Sequence, residues 1–421
     1  MSRWLAERAW LGGPGAAADV LLEESDGVLV SVSAGAGASA AGAERLSGLV
    51  LPGLVNAHSH AFHRALRGRA AGADFWQWRT GMYDVAARLG PSSYLALATA
   101  VYAEMLEAGI TEVHEFHYLH QPLGMDDAVV AAAREAGIGL VLLDTCYLRA
   151  GFDDEPLSPV QRRFSDGDVD GWAARASGVA ARHPGLVVGA AVHSVRAVDP
   201  ASMAAVAAWA AERDVPLHLH LSEQPAENGA CLAAQGMTPA EVAAEAGVLG
   251  PRTTAVHATH VSRSDVALLG GSGTGVCLCP TTERDLADGV GPAAALAAAG
   301  CPLSLGSDSH AVIDLFEEAR AVELDERLAT GRRGLHDPAD LLAAATGGRS
   351  LAVGERADFL ALSLDSARLA GFDPSAAAAH VVFSAAAPDV RDVVVGGRPV
   401  VREGRHLHVE TAATLRSALA L

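Results

Sequence analysis

Leu51-Pro-Gly-Leu-Val-Asn-Ala-His-Ser-His60, followed by Ala-Phe-His-Arg64, is the stretch on which the chain is organised. The apolar run Gly48–Val55 reads as a buried strand closed by a loop. Side chains two apart on a strand share a face. His58 and His60 therefore reach one point in space from the strand's end, as a zinc-type site requires. An H-x-H pair by itself is equally well a pair of core or surface histidines, so the rest of the chain decides its meaning.

Apolar runs of strand length recur downstream: Leu51–Val55, Ile110–Phe116, Gly139–Asp144, Leu186–His193, Pro216–Leu221, Thr253–His257, Thr274–Cys279 and Cys301–Gly306. Alanine-rich helix candidates lie between them, among them Tyr94–Glu107, Asp126–Glu135, Met203–Arg213, Ala240–Ala246 and Leu315–Leu328. Eight such runs predict an α/β fold, a (β/α)8 TIM-type barrel over 51–354. Strand-like pieces flank it: Val20–Leu22 and Val28–Val32 before, and Asp358–Ser363, Val381–Phe383 and Val393–Val401 after. They predict a small β-sandwich domain built from 1–50 together with 355–421.

Barrel enzymes carry their chemistry at the C-terminal ends of the strands. Those ends bear His58 and His60; Glu115, His117 and Tyr118; His193 and Arg196; His218, His220 and Glu223; His257 and His260; and Asp308 and His310. Each has a bland alternative, since an Asp after a strand is often only a helix N-cap. Jointly they predict a metal site, in which three His and a carboxylate leave one position open for water. Such water loses a proton near neutral pH and becomes a nucleophile. Of each histidine pair, His220 lies nearer the rim and Glu223 than His218, and His257 points inward while His260 falls in the loop. Periodicity alone settles neither choice. The chain contains no lysine, which excludes two metals bridged by a carboxylated lysine.

Charge and cysteine content narrow the class further. A net charge of −19 argues against nucleic acid and anionic membrane as partners. The five Cys form no C-x-x-C pair, which suits a reducing compartment. The N-terminus lacks a signal-peptide core, and no run of 18 residues is apolar enough to span a bilayer, so a cytoplasmic protein is expected.

With these residues in view, the chain resembles the amidohydrolase superfamily over nearly its whole length, from Pro52–His60 to the late Gly354-Glu-Arg-Ala-Asp358. Within it, the chain resembles the formimidoylglutamate deiminases of histidine degradation. The stretches that carry this are His58-Ser-His-Ala-Phe62, Asp74-Phe-Trp-Gln-Trp-Arg79, Glu115-Phe-His-Tyr118, His193-Ser-Val-Arg-Ala-Val198, His218-Leu-His-Leu-Ser-Glu-Gln224, His257-Ala-Thr-His260, Thr282-Glu-Arg-Asp-Leu-Ala-Asp-Gly289 and Gly306-Ser-Asp-Ser-His310. The resemblance implies that His58, His60, His220 and Asp308 hold one divalent ion, usually zinc, although iron or manganese suits the same ligands. It also implies that Glu223, His257 and Asp308 handle protons. Asp308 would take the proton of the metal's water, His257 would stabilise developing charge, and Glu223 would protonate the leaving nitrogen. The expected reaction converts N-formimino-L-glutamate to N-formyl-L-glutamate and ammonia.

The resemblance points to Arg79 and Arg196 as anchors for a small dicarboxylate substrate, with Tyr118 and His193 lining the pocket. Arg79 has the alternative of capping a helix or pairing with an exposed acid, and Trp76 and Trp78 read as packing. His63 stands where the family usually has Gln, a substrate contact, and Val192 replaces a usual Pro. Phe75–Tyr83 is the candidate for a lid or a partner contact, and a homodimer is the family expectation. Two other readings compete. One is a related aminohydrolase acting on another amidine, a guanidino acid or a purine. The other is a non-catalytic scaffold on the same barrel, which the full set of expected ligands disfavours.

Overall fold

Gly53 divides the apolar run Gly48–Val55 between two sheets, where one strand was expected. The computed structural model describes residues 2–69, 75–153 and 155–420, except for the side chains of residues 38, 39 and 75. Its first strands are β1 (Ser2–Ala9), β2 (Ala17–Ser25), β3 (Val28–Ser33) and β4 (Glu44–Pro52), and β5 (Leu54–Ser59) begins two residues after β4 ends. The physical reason for the break is local. Pro52 has no N–H to give a ladder. The Gly53 amide donates to Asp358 O at 2.9 Å, and a Cβ on Gly53 would lie 2.1 Å from Thr111 Oγ1.

From β5 the chain alternates strand and helix. β6 (Ile110–His117), β7 (Gly139–Cys146), β8 (Val187–Val192), β9 (Leu217–Leu221), β10 (Thr253–His257), β11 (Gly275–Leu278) and β12 (Leu303–Leu305) follow. All eight are parallel and pair in sequence order, as expected of a (β/α)8 barrel. The ring closes where β12 meets β5. Asp308 N donates to His58 O at 3.0 Å, and His60 N donates to Asp308 O at 3.3 Å. Gly306 permits this approach, because a Cβ there would stand 2.7 Å from His58 Cβ and 2.8 Å from its carbonyl oxygen.

Helices α1 (Phe75–Arg88) and α2 (Pro91–Glu107) follow β5; both pack against the turn Ala61–Leu66, and α2 also packs on β6. Proline at the first turn starts α2 and several later helices, where its missing N–H costs nothing.

The termini meet in a second sheet. β13 (Phe359–Leu362), β14 (Val390–Val395), β15 (Arg398–Arg402) and β16 (Arg405–His406) join β1–β4 in the order β16-β15-β14-β13-β4-β1-β2-β3. This sheet encloses a core of its own, in which Trp4 packs edge-on against Phe359 at 5.0 Å. The Gly396-Gly397 turn connects β14 to β15. Val381–Phe383, expected as a strand, lies in the helix Ala377–Ser384. The alanines before it favour helix, and burial of Val381 and Val382 against the barrel's helices outweighs their β-branching. All five cysteines are buried and free, and among the described residues no helix is long and apolar enough to cross a membrane.

Candidate active site

Strand alternation turns His58 and His60 toward the barrel axis and Ser59 away from it. The two imidazoles meet His220 from β9 and Asp308 from the segment after β12. His220 Nε2 is 3.2 Å from His58 Nε2 and 3.3 Å from His60 Nε2. Asp308 Oδ1 is 3.3 Å from the Nε2 atoms of both His58 and His60. The four side chains are thus focused on one point, with His58, His60 and Asp308 buried and His220 half-buried.

Their protonation follows from their outer contacts. His60 Nδ1 donates to Phe116 O at 2.8 Å, and His220 Nδ1 donates to His193 O at 2.8 Å, since a carbonyl can only accept. Burial holds His58 below the usual histidine value and His60 and His220 well below it, so the rings are neutral. The Nε2 atoms of His60 and His220 then present bare lone pairs to each other at 3.3 Å. Such an arrangement is repulsive until a cation lies between the nitrogens. Three imidazole nitrogens and one carboxylate oxygen, with the outer nitrogens of His60 and His220 held by carbonyls, make a donor set suited to a divalent transition-type ion.

The rim is strained. Ser222, His257, Ala258, Asp308 and His310, all just at or beyond the ends of β9, β10 and β12, have positive φ. They are five of the ten described non-glycine residues with positive φ, and such strain concentrates at functional sites.

A cluster of titratable groups adjoins the focus. His257 Nε2 lies 3.9 Å from both Glu223 Oε1 and Asp308 Oδ2. Its Nδ1 is 3.3 Å from Glu283 Oε1, which also accepts from Cys279 N at 3.0 Å. Burial disfavours charge on His257, but Glu223, Glu283 and Asp308 outweigh it and hold the ring well above the usual value. For Asp308 burial is likewise overcome, by His58, His60 and His257, and its carboxyl stays well below the ordinary range. Burial, together with the charges of Asp308 and Glu227, pushes Glu223 up to about 7 against the pull of His257 and Arg196.

The cavity over this focus is lined by His63, Arg79, Tyr118, His193 and Arg196, all five residues that the sequence suggested for substrate. His63 Nε2 is 2.6 Å from the Tyr118 hydroxyl, and burial drives His63 down to about 3, so it is neutral. Arg196 is half-buried, with its charge favoured by Glu227 against the cost of burial. Arg79 lies in the second turn of α1 with its guanidinium 4.5 Å over the Trp76 ring, and it caps no helix. Trp76 is half-exposed, whereas Trp78 does more than pack: it borders the cavity and sits edge-on to His63 at 5.2 Å. Phe75–Tyr83 is the start of α1 and forms a wall of the cavity through Trp78, Arg79 and Tyr83, while Asp74 lies outside the described residues.

Other rim residues go elsewhere. His218 points the same way as His220 but sits deeper in the barrel, beside His114 at 5.8 Å. His260 donates from Nε2 to Asp288 O at 2.7 Å. Glu115 and His117, which alternate with the inward-facing His114 and Phe116, face the helix layer. Sequence reading missed Tyr147, Phe164, Glu227 and Glu283. Tyr147 follows the third strand and is not a His or a carboxylate, the types that drew attention to the other strand ends. Glu283 lies in a quoted stretch, but on the short helix Pro280–Asp285 beyond the seventh strand.

Comparison with known proteins agrees with this geometry. Residues 49–400 match the family model described as the amidohydrolase family. The chain is 40% identical to a formimidoylglutamate deiminase of Pseudomonas aeruginosa, over 98% of its own length and 97% of that protein's. An amidohydrolase from Brucella melitensis superposes with a TM-score of 0.90 at 33% identity, covering 100% of this chain and 99% of that one. An adenosine deaminase from Xanthomonas campestris, solved with bound zinc, superposes with a TM-score of 0.88 at 26% identity, covering 99% and 96%. The chain therefore belongs to the amidohydrolase family and is a hydrolase of carbon–nitrogen bonds.

Proposed function

We propose that this enzyme hydrolyses N-formimino-L-glutamate to N-formyl-L-glutamate and ammonia. The observation that carries the reading is the cavity itself. It sets two arginines, Arg79 and Arg196, beside the His58/His60/His220/Asp308 focus, as a dicarboxylate with a reactive end requires. The 40% identity to a formimidoylglutamate deiminase supports the same substrate.

In this reading His58, His60, His220 and Asp308 hold one divalent ion, zinc by its fit to three imidazoles and a carboxylate. When bound, it lowers the pKa of water and polarises the atom under attack. Arg79 and Arg196 bind the carboxylates, while Tyr118, His193 and His63 orient the chain between them. Asp308 Oδ2 takes the proton released by the attacking water. His257, held charged, steadies the negative charge that develops as the formimino carbon becomes tetrahedral. Glu223, poised near neutrality, delivers a proton to the imino nitrogen. The bond to that nitrogen then breaks as the proton held by Asp308 passes to it, the hydroxyl proton on the tetrahedral carbon returns to Glu223, the C–O bond becomes the formyl carbonyl, and ammonia leaves. The same reading carries a cytoplasmic homodimer, which fractionation and sedimentation test.

A purine aminohydrolase is the competing reading. The aromatic walls of Trp78, Tyr147 and Phe164 favour it, and the two arginines oppose it. Ammonia release by the zinc-loaded protein decides between them. N-formimino-L-glutamate should be turned over, and stripping the metal with a chelator should abolish the reaction reversibly. Release from guanine or adenosine alone defeats the proposal.

A further inference from the structure

Behind β5, on the side away from the cavity, lies a buried chain of hydrogen bonds that the reaction does not use. Asn56 Nδ2 donates to Ser307 Oγ at 2.7 Å, and Asn56 Oδ1 accepts from Ser307 N at 3.0 Å. Ser307 Oγ is 2.9 Å from His310 Nδ1, and His310 Nε2 is 3.2 Å from Ser59 Oγ. Ser59 Oγ donates to Glu115 Oε2 at 2.7 Å, and the Ala61 amide donates to Glu115 Oε1 at 2.7 Å. Asn56, Ser59, Glu115, Ser307 and His310 are all fully buried.

One order of donors satisfies the whole chain. A carboxylate only accepts, so the Ser59 hydroxyl proton points at Glu115. His310 Nε2 must then donate to Ser59, which leaves Nδ1 to accept from Ser307. Ser307 in turn accepts from Asn56. Each side-chain bond from Asn56 Nδ2 onward runs toward Glu115, and the carboxylate ends the series with both oxygens engaged. A buried network with all its partners present fixes the segments it joins.

Those segments are the ones that carry the focus. Ser59 lies between His58 and His60, Ala61 follows His60, and Ser307 and His310 bracket Asp308. We propose that Glu115 and His310 are positioning residues. Through Ser59, Ser307 and the Ala61 amide they set the separation of the His58/His60 pair from Asp308, and with it the grip on the divalent ion. The inference rests on the assignment of His58, His60, His220 and Asp308 as ligands.

The test is zinc affinity by competition with a chromophoric chelator, together with the d–d absorption of the cobalt(II)-loaded protein, which reports ligand geometry. Ser59→Ala and Glu115→Gln are compared with wild type and with His60→Ala. Gln offers one accepting oxygen where Glu115 uses two, one for Ser59 Oγ and one for the Ala61 amide. Each of the first two variants should bind zinc about tenfold or more weakly, with a shifted cobalt spectrum and an unchanged circular-dichroism spectrum. Wild-type affinity and cobalt spectrum in both, with zinc lost in His60→Ala, overturns the positioning role and leaves the ligand assignment standing. Wild-type affinity in His60→Ala overturns the assignment, and this inference with it. Should Glu115→Gln fail to fold, Ser59→Ala alone decides, since it removes one hydroxyl.

Discussion

His257 Nδ1 lies 3.3 Å from Glu283 Oε1, and that contact leaves Nε2 as the nitrogen facing Glu223 and Asp308. The carboxylate holds the ring's orientation and favours its charged form, as the buried acid of a hydrolase triad does. Glu283→Gln keeps the shape and removes the charge. It should lower kcat by about 10²- to 10⁴-fold with KM little changed. Equal kcat values in steady-state assays would show that His257 needs no partner.

Arg196 lines the cavity with its charge favoured by Glu227. In the proposed reading, Arg196→Ala removes a carboxylate anchor, and it leaves Glu227 without its balancing charge. KM for N-formimino-L-glutamate should rise about 10²-fold or more, the worth of a shielded charge-assisted pair. A neutral purine would be bound as before. An unchanged KM for the dicarboxylate removes Arg196 from the substrate site.

Asp288 gives a pH signature in stability. Burial, with the nearby charges of Glu223, Glu283 and Asp308, pushes its carboxyl up to about 9 despite His257. A pKa raised on folding means that the native state holds a proton which the unfolded chain releases. Stability from this group is complete below the ordinary carboxylate value and is lost as pH rises toward about 9. Asp288→Asn keeps an acceptor for Gln224 and cannot ionise. Its stability advantage over wild type should grow between about pH 4 and pH 9, reaching a few kcal/mol, then level off. Parallel stability curves for the two proteins across urea titrations at several pH values refute this.

Gly306→Ala should disturb the closure of the barrel. The added methyl would press on His58 Cβ and its carbonyl oxygen, both of them backbone-linked and unable to swing aside. Overpacking of this kind costs about 1–3 kcal/mol, and here it also displaces a predicted ligand. Lower thermal stability with weaker zinc binding is expected. A variant with wild-type Tm and zinc affinity would mean that β12 and β5 have slack at this point.

Much of the site was legible because its residues sit where strands end, and strand ends can be counted from apolar runs. Counting brought His58, His60, His220, Asp308, Glu223 and His257 into view among other rim residues, and likeness of short stretches singled them out together with the five substrate candidates. Glu283 was passed over because it lies on a helix after a strand whose end carries no His. The split of Gly48–Val55 was hidden because both halves are buried and apolar, so hydrophobicity does not change at Gly53. Val381–Phe383 misled for the opposite reason: three β-formers in a row are too few to outweigh an alanine-rich approach.

By itself, the order of residues determined the eightfold alternation, the inward pairing of His58 with His60, the absence of a lysine bridge and the acidic balance. These depend on period, composition and neighbours within a few positions. Only the tertiary structure decided that His220 and not His218 reaches the focus, that Glu283 supports His257, and that Ser59, Glu115 and His310 share one hydrogen-bonded chain. Those relations join residues as far apart as 59 and 310. They depend on depth in the barrel and on which strands lie side by side at its closure, and a linear pattern carries neither distance.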